Sequence, residues 1–388
     1  MGAVFARGAP PDGPCRGSGD NPAVASRRTR NPPTDDLENY RSSCTRVLGG
    51  HGFRSAGEIL SAIPADVGKD QYGAGGIVTE LEAETCKVLG KPAAAFFPSG
   101  TMAQQIALRI HADRRNCRVV AFHPTCHLEG HEDKAYQRLH GLVGVTVGNE
   151  RTLMTLEDLR AIPGQLAAVL WELPQREIGG VLPAWKDLRA QVDYARSRGA
   201  AAHLDGARLW ESTPFYRKKP AEIAALFDTA YVSFYKGLGG LAGACLAGPE
   251  DVIAEARAWR KRHGGTLFGL WPNAAVALSG LRQRLPLMPR YHRHAVAIAE
   301  KLRAVRGVEI LPDPPHTNMM RLLLRVDEKA FKAAACRIAR DQGVYTFKWS
   351  GPGYSPATRM VELTVGDATL GFEPTEVAQI IRALMKRQ

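Results

Sequence analysis

The chain predicts an α/β fold, a large domain built on a mostly parallel sheet and followed by a smaller α+β domain. Three observations predict it. From Ala93 to Leu204, strand-like runs alternate with helical ones, the pattern of a parallel or mixed sheet covered on both faces. Pro286 and Pro289 then mark a boundary, beyond which strands and helices recur in a shorter segment. Finally, 388 residues that are 45% hydrophobic and 23% charged suffice for a large core and one small extra domain, and no apolar run reaches membrane-spanning length.

The domain reading is therefore a basic tail over residues 1–36, a large domain over 37–285 that includes its entry segment, and a small domain over 286–388. The tail is rich in Gly, Pro, Ala and Arg without periodicity, which predicts disorder. No targeting role is expected of it. Ala6 stands where a Gly2 lipidation motif needs Ser or Thr, and Arg27-Arg28 has no apolar segment behind it.

Glu38 to Ile63 reads as a short entry segment and a helix. The glycine-rich loop Gln71 to Gly76, with Tyr72-Gly73 inside it, precedes the helix Val78 to Leu89. The strand Ala93 to Phe97 leads into Ser99-Gly100-Thr101 and the helical run Gln104 to His111. Such a turn aims unpaired backbone N–H groups outward, which suits a phosphate as well as a plain N-cap.

After the strand Arg118 to Phe122 comes a loop with His123, His127 and His131 at every fourth position. Three readings stand beside one another: a metal site, an imidazole stacked on a cofactor ring, or turn capping. Pro124 and Gly130 oppose one regular helix through all three, and no cysteine or acidic cluster completes a tetrahedral set, so no metal is expected.

The alternation continues with strand Leu142 to Val147, helix Thr155 to Ile162, strand Ala167 to Leu173, helix Trp185 to Arg198 and strand Ala200 to Leu204, which runs into Asp205-Gly206-Ala207-Arg208. The strand Tyr231 to Tyr235 ends on Lys236, followed by Gly237, Gly239, Gly240 and Gly243, a backbone able to lie close against a ligand. Ligands of such sheets gather outside the carboxyl ends of the strands, and Ser99, Asp205 and Lys236 all fall there. Helices are expected at Ala247 to Arg262 and Asn273 to Arg284. In the small domain the expected order is helix Arg293 to Val305, strands Val308 to Leu311 and Asn318 to Val326, helix Lys329 to Gln342, strand Met360 to Val365 and helix Pro374 to Lys386.

Charge and cysteines narrow the class. The net charge of +12, with pI near 9.5, is spread along the chain without a nucleic-acid-binding motif, so anionic small ligands are favoured over nucleic acid and no membrane partner is expected. Seven scattered cysteines without a CxxC pair fit reduced thiols in a cytoplasm.

A lysine beyond a strand end, an aspartate at another and a phosphate-type turn fit pyridoxal phosphate. Lysine forms the Schiff base, and an aspartate paired with the pyridine nitrogen keeps it protonated. Asp205 suits that task, Ala207 is small enough to lie beneath a flat ring, and the forked guanidiniums of Arg208 and Arg359 suit a carboxylate. The sequence resembles the threonine aldolase family of β-eliminating lyases, within the fold-type I pyridoxal phosphate enzymes. The resemblance rests on Phe97-Pro98-Ser99-Gly100-Thr101-Met102-Ala103, on His203-Leu204-Asp205-Gly206-Ala207-Arg208-Leu209 and on Lys236-Gly237-Leu238-Gly239.

That resemblance implies that Lys236 holds the cofactor, that Asp205 supports its ring nitrogen, that His127 stacks on the ring, and that Gly100 and Thr101 bind phosphate with Ser99 beside them. It further implies that Glu132 is the acid following the stacking histidine, that Arg208 and Arg359 hold the substrate carboxylate, and that Tyr72-Gly73 is the family's N-terminal tyrosine-glycine loop. Where members carry a glycine triplet followed by Met-Arg-Gln, this chain has Gly264-Gly265-Thr266-Leu267-Phe268, and an arginine is replaced by Phe268. Their Arg-Ser-Asp-Thr opening becomes Arg41-Ser42-Ser43-Cys44-Thr45.

The implied activity is retro-aldol cleavage of a threonine-like L-β-hydroxy-α-amino acid to glycine and an aldehyde, or the reverse, with His127 as candidate base. The alternatives are β-elimination or racemisation of another amino acid, and a catalytically inactive basic binding protein. A homodimer or homotetramer is expected, because family sites lie between subunits.

Overall fold

The computed structural model describes residues 36–386 with the exception of residue 356; the tail expected over residues 1–36 lies, except for Asp36, outside the described residues. In chain order the strands are β1 (Arg46–Val47), β2 (Ala93–Phe97), β3 (Val119–Phe122), β4 (Val143–Thr146), β5 (Ala168–Glu172), β6 (Ala201–Gly206), β7 (Thr229–Ser233), β8 (Ala244–Gly248), β9 (Val308–Leu311), β10 (Met319–Leu324), β11 (Val344–Tyr345), β12 (Gly351–Pro352) and β13 (Arg359–Thr364).

The large sheet has seven strands in the order β2-β8-β7-β6-β5-β3-β4. The pairs β3 with β4, β3 with β5, β5 with β6 and β6 with β7 are parallel, whereas β8 runs antiparallel to both β2 and β7. Two reversals leave β2 pointing the same way as β7, so the carboxyl ends of β2, β3, β5, β6 and β7 share one edge. Helices on the faces of this sheet include Gly76–Leu89, Gly100–Arg114, Trp185–Ser197 and Glu250–Arg262.

Strand β8 departs from expectation. A helix is expected from Ala247 to Arg262, but Ala247 and Gly248 end a strand whose five residues are all buried, and the helix begins at Glu250 after Pro249. A strand covered on both faces has no need of polar alternation, and Ala-Cys-Leu-Ala-Gly shows none.

Strand β2 lies at the edge of the sheet, and charged side chains close its open flank. Glu82 accepts from the Phe96 N–H at 2.7 Å, Arg257 donates to the Ala94 carbonyl at 2.8 Å and Arg260 donates to the Phe96 carbonyl at 2.5 Å. Arg257 also pairs with Glu82 at 2.6 Å, so the cap is itself partly neutralised. An edge occupied in this way offers no row of free backbone groups to another chain.

The second sheet is antiparallel, in the order β12-β13-β10-β9, and packs against the helix Met288–Leu302, on which the helix Pro374–Leu384 packs in turn. Pro289 sits in the first turn of Met288–Leu302, where its missing N–H costs nothing; the helix therefore starts five residues before the expected Arg293. The proposed division at 285/286 falls in the 3₁₀ turn Leu285–Leu287. Strand β1 crosses that division: it pairs in parallel with β11, and Arg46 bonds to Glu376 at 2.6 Å. Among the described residues, no helix is long and apolar enough to cross a membrane.

Candidate active site

Lys236 stands three residues beyond the end of β7, since the strand stops at Ser233 and not at the expected Tyr235. The loop after it is held by side chains from other elements. His51 Nε2 contacts the Gly237 carbonyl at 2.9 Å, Arg284 donates to the Leu238 carbonyl at 3.0 Å, and Arg54 donates to that of Gly239. Gly237 is required by close approach: a Cβ there would lie 2.2 Å from Glu211 Oε1. Burial, and then the nearby Arg208 charge, lower the Lys236 pKa; Asp205, Glu172 and Glu211 oppose the fall. Such surroundings favour the free, nucleophilic amine.

Asp205 is the penultimate residue of β6 and 1% exposed. Its Oδ1 accepts from the Ala207 N–H at 3.0 Å, which fixes the carboxyl, while Oδ2 is buried without a partner. Glu172 ends β5 directly opposite Asp205 in register. Its Oε1 accepts from the Arg176 N–H at 3.1 Å and its Oε2 from the His127 N–H at 3.2 Å. Burial, with the Asp205 charge next in weight, pushes the Glu172 pKa up to about 7. Burial also raises that of Glu211, whose Oε2 is unpartnered.

His127 opens the single-turn helix His127–Gly130. Its Nδ1 lies 3.0 Å from Glu132 Oε1, and Glu132 is in turn held by Gln105 Nε2 at 3.3 Å. A carboxylate that accepts from Nδ1–H keeps the ring proton on Nδ1 and leaves the lone pair on Nε2, the arrangement a proton acceptor needs. The side chain of Glu132 is fully buried, so it reaches a bound molecule only through His127. The other two loop histidines have separate partners: His123 bonds Thr125 and the Thr152 carbonyl, and His131 bonds Glu177 at 3.2 Å. Among the described residues, no group of three or more His, Cys, Asp or Glu is placed to hold a metal ion.

Ser99 caps the helix Gly100–Arg114 by accepting from the Met102 N–H at 3.3 Å. This helix is longer than the expected Gln104 to His111 and begins inside the hydroxyl-and-glycine turn. A Cβ on Gly100 would lie 2.1 Å from the Tyr231 hydroxyl, so only glycine lets the first turn approach β7. Thr101 is half-buried and Ser99 exposed at the same end.

The two arginines assigned to a carboxylate are separated. Arg208 Nη2 lies 3.9 Å from Glu362 Oε1, beside Arg176 Nη2, which is 3.0 Å from Glu362 Oε2. Arg359 instead bonds the Ser350 carbonyl at 2.6 Å and pairs with Glu328 at 3.2 Å. Successive residues of a strand face opposite ways, so Glu362 and Arg359, three apart on β13, project to opposite faces of the small sheet. Tyr72 is 57% exposed and edge-on to Phe268, with ring centroids 5.5 Å apart.

A family model described as Beta-eliminating lyase matches residues 58–326. The chain belongs to the Beta-eliminating lyase family. It is 28% identical over 266 residues to low-specificity L-threonine aldolase 1 of Arabidopsis thaliana, covering 66% of this chain and 74% of that protein. It is 30% identical over 329 residues to aldolase vrtJ of Penicillium aethiopicum, covering 82% and 81%. A crystal structure from Listeria monocytogenes EGD-E, assigned provisionally to L-allo-threonine aldolase, superposes with a TM-score of 0.85 at 40% identity, covering 90% of this chain and 98% of that one. The expected fold, that of the fold-type I pyridoxal phosphate enzymes, is the one this lyase has.

Four residues of the candidate site escape a reading of the sequence: Glu172, Glu211, Arg176 and Glu362. Glu172 carried a usable signal, a lone acid closing the apolar run Ala168 to Trp171 at a strand's carboxyl end. Glu211 lies in the helix Leu209–Tyr216, and its place beneath Gly237 follows from tertiary packing alone.

Proposed function

We propose that this lyase uses pyridoxal phosphate to cleave an L-β-hydroxy-α-amino acid of the threonine type to glycine and an aldehyde, or to run the reverse condensation. The observation that carries the reading is the pairing of a half-buried, pKa-lowered Lys236 with an Asp205 whose Oδ2 lacks a partner. Both halves fit the cofactor. A buried lone acceptor suits a protonated ring nitrogen, and a half-buried amine within electrostatic reach suits the aldehyde. The first turn of Gly100–Arg114 offers backbone N–H groups and the positive end of a helix dipole to the phosphate, with Ser99 and Thr101 beside it.

When bound, the cofactor supplies an electron sink for the charge left on the substrate's Cα. The chain's own residues do the rest. Lys236 would hold the cofactor through its amine. Arg208 grips the α-carboxylate. His127, oriented by Glu132 through Nδ1, stacks on the ring and takes the β-hydroxyl proton at Nε2. Ala207, 6% exposed, leaves room beneath the ring. Names of the relatives, threonine aldolases among them, support this substrate class.

Exposed Tyr72, Tyr235, Leu267 and Phe268 are apolar surface available to a second copy, and a homodimer or homotetramer is part of the reading. Phe268, 67% exposed at the position where family members carry an arginine, favours one second reading, β-elimination or racemisation on the same scaffold. Incubation with L-threonine, L-allo-threonine and phenylserine decides: release of glycine with the matching aldehyde is expected. Exchange of the Cα hydrogen without carbon–carbon cleavage would replace the first reading by the second.

A further inference from the structure

Arg176 opens the short turn Arg176–Ile178 just beyond β5, and its backbone N–H is tied to Glu172, the neighbour of Asp205. Its side chain makes two contacts: Nη1 donates to Glu177 Oε1 at 2.7 Å, and Nη2 lies 3.0 Å from Glu362 Oε2. Its Nε is buried without a partner. Glu177 does not depend on Arg176, because Arg321 pairs with it at 2.5 Å and also donates to its backbone carbonyl. Arg208 reaches the other oxygen of Glu362 at 3.9 Å, too long for a hydrogen bond.

Three guanidiniums, Arg176, Arg208 and Arg321, share two carboxylates, Glu177 and Glu362, in these ion pairs. Glu172 and Glu211 act on Arg208 besides, which leaves Arg176 with only shared carboxylates and an unused N–H. A guanidinium with an unused N–H is the complement of one more carboxylate. Glu362 meanwhile spans Arg176 and Arg208 with one oxygen toward each, the geometry an α-carboxylate would adopt between them.

We propose that Arg176 and Arg208 together read the substrate's α-carboxylate, and that Glu362 is the carboxylate that bridges them between turnovers and gives way when substrate arrives. This rests on the function proposed above and assigns its second carboxylate-binding arginine. Arg176 takes the part first given to Arg359, which has an unpartnered Nε as well but whose Nη1 and Nη2 engage Glu328 and Ser350 on the other face of β13.

The test compares glycine with glycinamide, which lacks the anionic carboxylate, by calorimetric titration of the holoenzyme. Wild type is expected to prefer glycine by about tenfold or more, the scale of a charge-assisted hydrogen bond. R176Q should cut that preference by about fivefold or more, and E362Q, which removes the competing carboxylate, should tighten glycine several-fold while leaving glycinamide unchanged. The double variant R176Q/E362Q separates reading from structural support. It removes the ion pair as a unit, so a structural role predicts recovery of the preference, whereas a reading role predicts that the loss persists.

An R176Q holoenzyme with the wild-type preference, or recovery in the double variant, overturns the proposal. Should R176Q fail to fold, an E362Q holoenzyme with unchanged glycine affinity overturns it instead. A wild-type holoenzyme that cleaves no β-hydroxy amino acid, yet loses its glycine preference on R176Q substitution, removes the aldolase reading and leaves this one standing.

Discussion

Glu172 and Asp205 occupy the same register position at the ends of two adjacent parallel strands, so that two buried carboxyls stand side by side in the field of the Lys236 amine. Each would be an expensive charge alone. Together with Lys236 and Arg208 they form one network, in which ionisation of one member alters the others.

The first prediction concerns pH. Folding raises the Glu172 pKa from 4.5 to about 7, so the folded chain holds that proton more tightly than the unfolded chain does. The resulting stability is complete below pH 4.5 and is lost as the pH rises through about 7. E172Q has no such proton to lose. In denaturant titrations of cofactor-free protein, wild type should therefore lose about 1 to 3 kcal/mol relative to E172Q between these limits, at about 1.4 kcal/mol per pKa unit. A difference that does not change with pH contradicts the assignment.

Asp205 carries the cofactor reading. D205N keeps the side chain's size but removes its charge, and should weaken pyridoxal phosphate binding by about 10- to 100-fold, the worth of a hydrogen bond to a charged partner. Absorbance titration of the stripped protein measures it; an unchanged dissociation constant would detach Asp205 from the ring nitrogen.

His127 has two proposed roles, and one substitution divides them. H127F retains a flat ring for stacking but no proton acceptor, so kcat should fall by about 10² to 10⁴ while cofactor affinity moves little. Retained kcat would leave stacking as the residue's whole contribution.

The arginines should behave unequally. R208K replaces a planar fork by a point charge and should raise KM for the amino acid about tenfold or more. R359A should leave KM within about twofold, because its guanidinium serves Ser350 and Glu328. Steady-state kinetics on both variants check the contrast.

Much of this arrangement can be read from the residues. Strand β2 matches its expected range from Ala93 to Phe97, and Ser99 and Lys236 follow strand ends because glycine and polar residues break apolar runs there, whereas β6 runs two residues past the expected Leu204 and takes in Asp205. Strand β8 was hidden because a strand buried on both faces resembles the start of a buried helix. The exchange of Arg359 for Arg176 has a different cause. Which side of β13 faces the site depends on its pairing with β10, where Arg321 lies opposite Glu362, and long-range register leaves no mark on a single strand's composition. Glu211 likewise meets Gly237 across 25 residues of intervening chain.

The central claim is that the Lys236 amine holds the cofactor's aldehyde. Borohydride reduction of the protein loaded with pyridoxal phosphate, followed by proteolysis and mass spectrometry, tests it directly. A stable pyridoxyl adduct is expected on the peptide containing Lys236 and on that lysine within it. An adduct confined to other lysines, or a yellow protein that reduction leaves without any adduct, would contradict it.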